Sequence, residues 1–373
     1  MFFIVGVFIS VFLTLLLLIK KKKSRADKIL IIWLCLMVVH QLYNYFLLSG
    51  TLFNYPKWLG FEFPLPVLHG VLLYFYVLEL TGKRIKKSLK MALHLLPALS
   101  LIIFAIPFYI LTDSEKIIVF QNEGKGFETF LLYSRILIPL SGLTYSLGSL
   151  FLIKKHQKKI QDRFSNTDKK ELQWLRYLSI GLGVIWIVSI FFDSDVIFTA
   201  VTILVIFIGF FGINQLNIFA TNSTFEVVEI KETEKIKKTD IDPISKVKEK
   251  SKRYEKSGLT QEMASNIYST LKELMGANHL YKNENLTLVE LAKQLKVHPN
   301  HLSQVINEIE GKNFYNYINA LRITEFISLA SLPENKKYTM ISLAYDCGFS
   351  TKSTFNKHFK LQTGKTPTEF FNA

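Results

Sequence analysis

Cysteine is almost missing from this chain. Cys35 and Cys347 are the only two in 373 residues, one in an apolar run and one in a polar region. Two thiols so placed build no disulfide framework, and no CxxC spacing for zinc occurs. The sequence also lacks an HExxH pair, a glycine-rich phosphate loop and a GxSxG elbow, which would mark a zinc protease, a nucleotide site and a serine hydrolase. These absences point away from an enzyme, a metal and a cofactor. Acids are outnumbered: 30 Asp and Glu stand against 45 Lys and Arg, for a net charge of +15. Such a surplus can mark a nucleic-acid partner, but its distribution argues otherwise. Residues 1–225 hold 23 basic against 12 acidic residues, a surplus of +11, whereas residues 257–373 hold 12 against 10, only +2.

What the chain has in quantity is apolar residues, 49% of the total with 31 Phe, and a mean hydropathy of +0.24. Seven runs approach the ~20 residues that cross a bilayer: 2–19, 29–48, 61–80, 91–111, 130–153, 175–192 and 196–216. Hydrocarbon leaves backbone polar groups no outside partner, so these runs are expected to be helices; a barrel would show alternating segments of ~10 residues. The first, third and fifth connections, "KKKKSRADK", "TGKRIKKSLK" and "KKHQKKIQDRFSNTDKKELQW", are basic, and the connections between them are not. Basic loops stay in the cytoplasm. The expectation is a multi-pass inner-membrane protein with its N-terminus outside and its C-terminal region in the cytoplasm. The first run reads as a retained span rather than a signal peptide, because its lysines follow the apolar stretch and no A-x-A site comes after it.

Composition changes abruptly after the last run. "VVEIKETEKIKKTDIDPISKVKEKSKRYEKSG" is dense in mixed charge with one proline, and cannot bury enough apolar surface to fold alone. The domain division is therefore 1–218 membrane half, 219–256 tether, 257–373 folded cytoplasmic domain. A tether of this kind suits signalling by proximity rather than by torque. The domain's first helix is expected from Thr260, with Met263, Ile267, Leu271 and Leu274 at helical spacing.

Two stretches share a pattern. In "LVELAKQLKVHPNHLSQVI", Ala292 is small where two helices would cross, Lys296 sits in the turn, and Leu302 and Ile306 form an i,i+4 apolar pair. In "ISLAYDCGFSTKSTFNKHF", Ala344, Gly348 and the Phe355/Phe359 pair repeat it with a turn one residue longer. Gly348 is free to take positive φ. The repeat spacing is about 50 residues. Between the units, residues 313–332 read as one amphipathic helix with Phe314, Ile318, Leu321, Phe326 and Leu329 on its apolar face. Such a helix spans about 30 Å, near one ~34 Å turn of DNA.

"LRI" at 321–323, "AYDCGFSTKSTFNKHFK" at 344–360 and "TGKTPTEFF" at 363–371 resemble the AraC/XylS-type DNA-binding domain over about residues 286–373. The seven-span half joined to it is similar to membrane-bound regulators of that class. The resemblance implies an all-α protein: a seven-helix transmembrane bundle plus a cytoplasmic double helix-turn-helix domain. Some positions depart from the family pattern. Lys296 replaces the usual turn glycine, His298 the usual capping Ser, and Gln304 a frequent Arg. Phe326 and Ala330 exchange the usual Ala and Leu on one helix face, a swap that conserves volume.

Polar residues facing away from the apolar pairs are the candidate DNA readers: Asn300, His301, Ser303, Gln304 and Asn307 in the first unit, Thr351, Lys352, Ser353, Asn356 and Lys357 in the second. Asn and Gln can pair with adenine, and Lys with guanine or phosphate. Arg322, in the bridging helix, is a candidate buried ion-pair partner of an acid such as Asp346. In the apolar half His40, Asn44, Glu62, His69 and Arg135 could line a ligand pocket; Glu62 and His69, seven apart, would share a helix face. The reading is a membrane-bound, sequence-specific transcription regulator that senses through its spans. Its partners would be double-stranded DNA, the lipid bilayer, an unknown small-molecule or envelope signal, and a second copy of the chain if it dimerises. The rival is a receptor- or transporter-like protein whose C-terminal module docks a protein.

Overall fold

The computed structural model describes residues 2–83, 89–168, 171–192, 194–214 and 259–371; the tether 219–256 lies outside them. Among the described residues the regular structure is helical, with one isolated antiparallel bridge between Phe164 and Thr287. The chain divides into two compact units, Met1–Lys154 with Leu172–Glu232, and Lys155–Glu171 with Thr233–Ala373.

The apolar half runs through α1 (Phe2–Ile19), α2 (Arg25–Leu48), α3 (Leu65–Leu80), α4 (Leu89–Leu93), α5 (Leu96–Phe104), α6 (Ile106–Tyr109), α7 (Asp113–Gln121), α8 (Glu128–Gln161), α9 (Gln173–Phe191) and α10 (Ser194–Asn214). Local signals start several of them. Ser24 and Asp27 form a reciprocal capping box at α2, and Thr112 and Glu115 form one at α7, each satisfying two otherwise orphaned backbone donors. The core gathers Leu13 and Leu17 of α1, Trp33 and Leu34 of α2, Leu73 and Tyr76 of α3, Leu175 and Leu178 of α9, and Val205 and Ile208 of α10. Gly142 of α8 lies flat against the Trp186 indole, where any Cβ would collide.

Among the described residues three helices, Arg25–Leu48, Glu128–Gln161 and Gln173–Phe191, are long and apolar enough to cross a membrane. Three shorter apolar stretches, Ile4–Ile19, Leu65–Leu80 and Val196–Phe211, belong to α1, α3 and α10. The expected fourth span, 91–111, is cut into α4, α5 and α6. Pro97 and Pro107 stand in the first turns of α5 and α6, where the missing N–H breaks no internal hydrogen bond.

The second unit contains α11 (Gln261–Asn278), α12 (Leu288–Gln294), α13 (Pro299–Glu310), α14 (Phe314–Ala330), α15 (Met340–Asp346), α16 (Lys352–Thr363) and α17 (Pro367–Phe371). Thr260 caps α11 as its sequence position suggests. Leu271 is buried there, but Met263 is exposed, and Ala264 and Met275 take inward positions instead. Two cores share α14. Its first half gives Phe314, Tyr317 and Ile318 to a cluster with Leu291, Ala292, Leu302 and Ile306. Its second half gives Ile323 and Phe326 to a cluster with Leu343, Ala344, Phe349, Phe355 and Phe359. Phe326 meets Phe355 with ring centroids 4.6 Å apart, and Ala330 packs at the edge of the same cluster. With 17 residues, α14 is about 25 Å long, shorter than its sequence limits implied.

Candidate nucleic-acid interface

Each helix-turn-helix unit is set by one left-handed residue. The first turn, residues 295–298, carries Lys296 at φ 55°; the second, residues 347–351, carries Gly348 at φ 94°. The second turn is the longer by one residue, as the repeat indicated. Lys296 thus takes a conformation that usually falls to glycine, with its side chain exposed. Gly348 has no such freedom, because a Cβ there would lie 2.6 Å from the Lys282 carbonyl oxygen. Ala292 and Ala344 are fully buried at the crossings. His298 does the work of the missing serine: its Nδ1 accepts the Asn300 amide at 3.2 Å. Thr351 caps α16 through the Thr354 amide at 3.3 Å.

The outer faces differ. On α13, Asn300 and Asn307 are exposed, while His301, Ser303 and Gln304 are half-buried. Gln304 donates to Glu308 at 3.0 Å and Asn307 to the Ser303 carbonyl at 2.7 Å. A base edge would have to displace the first of these bonds. Val305 is buried against Leu259 and Ala264, so the start of α11 covers one flank of α13. On α16, Lys352, Ser353, Asn356 and Lys357 are exposed and Thr351 is partly covered. A groove of about 1010 Å³ beside α16 is lined by Lys352, Asn356, Lys357 and Lys360 together with Thr339–Ile341 and Thr366–Thr368. The ammonium of Lys357 also lies 5.7 Å from the Tyr315 ring centre.

Arg322 is 1% exposed, as a buried partner should be, but its partner is not Asp346. Its Nε donates to the Tyr281 carbonyl at 2.7 Å and its Nη2 to the Asn283 carbonyl at 2.8 Å. Nη1 reaches Asn319 Oδ1 at 3.2 Å, and Nη2 reaches the Ser165 hydroxyl at 3.1 Å. Burial pushes its pKa down to about 10, against the opposing pull of Tyr315 and Glu284, so it is still charged at neutral pH. Ser165 belongs to the fifth connection, a stretch read from the sequence only as a basic loop. Its amide donates to the Leu286 carbonyl at 3.1 Å, and Leu288 donates to the Arg163 carbonyl at 2.9 Å. Three residues on, Asp168 accepts from the hydroxyls of Ser350 at 2.7 Å, Thr351 at 3.1 Å and Thr354 at 3.1 Å. Ser350, Thr354, Ser165 and Asp168 make contacts beside α16 and α14 that the sequence reading did not anticipate. No periodicity marks a contact between positions more than 100 residues apart.

Of the five residues expected to line an intramembrane pocket, His40, Asn44 and His69 lie together. His40 Nδ1 and His69 Nε2 are 2.9 Å apart, and Trp33 Nε1 donates to His69 Nδ1 at 3.2 Å. Indole only donates, so a neutral His69 carries its proton on Nε2 and gives it to His40. Asn44 is buried but bonds the His40 carbonyl on its own helix at 2.9 Å. Glu62 lies in the turn before α3, not on one helix face with His69, and Arg135 is exposed on α8. Among the described residues no three His, Cys, Asp or Glu side chains come together as metal ligands.

Residues 291–373 match a family described as a helix-turn-helix domain. No curated protein and no solved structure matches the chain. The family is of the AraC type, a class of DNA-binding regulators rather than of enzymes. The paired turns, the shared α14 and this match agree: residues 291–373 are an AraC-type helix-turn-helix domain, the DNA-binding part of a transcription regulator.

Proposed function

We propose that the protein is a membrane-embedded regulator whose apolar half receives a signal and whose C-terminal domain binds promoter DNA on the cytoplasmic side. One observation carries the membrane reading. The apolar half turns large side chains outward along its length: Phe8 is 70% exposed, Ile110 78%, Phe151 68% and Phe191 74%. Water penalises such a surface, and monomeric soluble proteins rarely show one this extensive; lipid does not penalise it. The sidedness of basic loops supports an N-terminus outside. The grouping of the fifth connection with the C-terminal domain in one unit is in keeping with two passes through α9 and α10, which return the chain to the side it left. Segment 89–109 would make the fourth pass as a broken helix.

The bases would be read by Asn300, His301, Ser303, Gln304 and Asn307 of α13 and by Thr351, Lys352, Ser353, Asn356 and Lys357 of α16, with Asn and Gln suited to adenine edges and Lys to guanine or phosphate. With a charge surplus of only +2 in residues 257–373, non-specific affinity should be weak, and pairing of two copies would raise it by avidity. The signal would be a small molecule or an envelope component. Two measurements test this reading. A reporter active only in the cytoplasm should work when fused after Lys87 or Gln157 and fail after Asn122. Genome-wide capture of the intact protein should recover a small set of promoters from the membrane fraction. Recovery of a protein partner and no DNA would favour the docking alternative.

A further inference from the structure

The contact between the fifth connection and α16 has the chemistry of anion recognition. Both carboxylate oxygens of Asp168 are engaged by hydroxyls: Ser350 and Thr351 on Oδ2, Thr354 on Oδ1. Those hydroxyls stand at the N-terminus of a 12-residue helix, where the dipole and the free N–H groups favour negative charge. Ser and Thr hydroxyls at helix N-termini are among the groups that proteins place on DNA phosphates. Lys352, Ser353, Asn356 and Lys357 follow on the exposed face of the same helix. Resting on the DNA-binding reading above, we propose that Ser350, Thr351 and Thr354 form a binding site for a DNA backbone phosphate. In the unbound protein residues 163–168 of the same chain fill it, with Asp168 in the place of the phosphate.

The segment is held at a second point, away from the anion site. Ser165 is fixed by Arg322, by the Leu286 carbonyl, and by Asn319, whose Nδ2 donates to the Ser165 carbonyl at 3.2 Å. Arg163 completes the bridge through Leu288. This anchor keeps Asp168 at high effective concentration beside the hydroxyls. Two anions cannot share three donors, because at close range they repel each other strongly. Phosphate and carboxylate are therefore alternatives. The segment joins α8 to α9, so a rearrangement of those two helices would pull on it directly, and release of Asp168 would expose the site to DNA.

The test uses the full chain in lipid nanodiscs and a mixed-sequence 40-base-pair duplex at low salt. Asp168→Asn keeps the side-chain shape and removes the charge. It should tighten binding by about tenfold for every sequence, the scale of one charge-assisted contact, with a salt dependence steeper by about one phosphate. Adding Thr354→Val to Asp168→Asn should remove most of that gain. A second measurement needs no substitution: saturating wild-type protein with the duplex should speed amide exchange across residues 163–168. If wild type binds the duplex while Asp168→Asn binds no tighter and the exchange is unchanged, the contact is a scaffold and the proposal is wrong. If no form binds any duplex while the segment stays protected, DNA binding itself fails, and this inference falls with it. Should Asp168→Asn not fold, the exchange result on wild type decides alone.

Discussion

The Arg322 guanidinium donates to the Ser165 hydroxyl at 3.1 Å across 157 residues of sequence. The same group holds the carbonyls of Tyr281 and Asn283, so one buried cation fastens two separate segments, 163–168 and 281–283, to α14. Truncating it would leave buried carbonyls without donors. Arg322→Ala should cost about 3 kcal/mol or more, and Arg322→Lys should rescue little, because an ammonium cannot reproduce the fork. Cys347 provides the readout. It is fully buried, and burial raises its thiol pKa to about 12, so in a Cys35→Ser background thiol labelling reports opening of this unit. Unchanged labelling in Arg322→Ala would sink this account.

The two turns should respond in opposite ways. Lys296→Gly removes left-handed strain from a side-chain-bearing residue and should stabilise the unit by roughly 0.5–1 kcal/mol, partly offset by greater freedom in the unfolded chain. Gly348→Ala adds a Cβ at φ 94° against the Lys282 carbonyl and should cost at least about 2 kcal/mol. Thermal melting followed by circular dichroism on matched variants gives both signs. A stabilising Gly348→Ala would contradict the geometry.

Phe326 and Ala330 form a compensating pair. Phe326 is fully buried among Phe355, Phe359 and Phe371, so Phe326→Ala should cost about 3–5 kcal/mol. Adding Ala330→Leu should recover a substantial part of that loss by refilling the same cluster. A double-mutant cycle measures the coupling, and strict additivity would show that the two positions do not share a cavity.

His358 makes the domain sensitive to acid. Burial, then the charges of Lys357 and Arg322, lower its pKa to about 4 from an ordinary 6.5. The unfolded chain therefore binds the proton more readily than the folded one. Stability is full above about pH 6.5 and falls as pH drops from there toward 4, by about 3 kcal/mol for a shift of this size. Denaturant unfolding at a series of pH values should show this slope for wild type. His358→Phe, which keeps a ring against Tyr315, should flatten it; an equal slope in the variant would assign the effect to other groups.

Base reading should be unequal between the helices. Asn356 is exposed and should lose ~1–3 kcal/mol on the true operator when replaced by Ala, with preference relaxed at one position. Gln304 must first leave Glu308, so Gln304→Ala should cost less, and Glu308→Ala should tighten binding. Lys357→Ala should weaken all sequences alike. Competition binding with single-base operator variants separates these outcomes, and a uniform loss in Asn356→Ala would remove it from the base readers.

Much of the second unit was legible because its signals are local. Thr260, named from the sequence as the start of its helix, caps it through the Met263 amide. The Ala-turn-apolar spacing located both helix-turn-helix units, and the period of Phe314, Ile318 and Phe326 located the bridging helix. Where local rules compete, the sequence misled. The apolar count of 91–111 suggested a single span, but Pro97 and Pro107 divide it. Met263 fits the helical period, yet the surface that α11 buries is centred on Ala264, Leu271 and Met275.

By itself, the sequence determined the all-helical character, the apolar half, the two reading units and the helix that joins them, because period, capping and turn geometry act over a few residues. Tertiary structure alone decided which distant groups meet. Arg322 could as well have faced Asp346, and Glu62 could have shared a face with His69. Basic loop 154–174 carried every mark of a solvated connection, and the route from the apolar half to the reading helices appeared to run only through the tether. Its docking depends on one serine hydroxyl reaching a buried guanidinium and one carboxylate reaching three hydroxyls. Such contacts are specified by the shape of a folded surface, and they leave no spacing in the chain to be read.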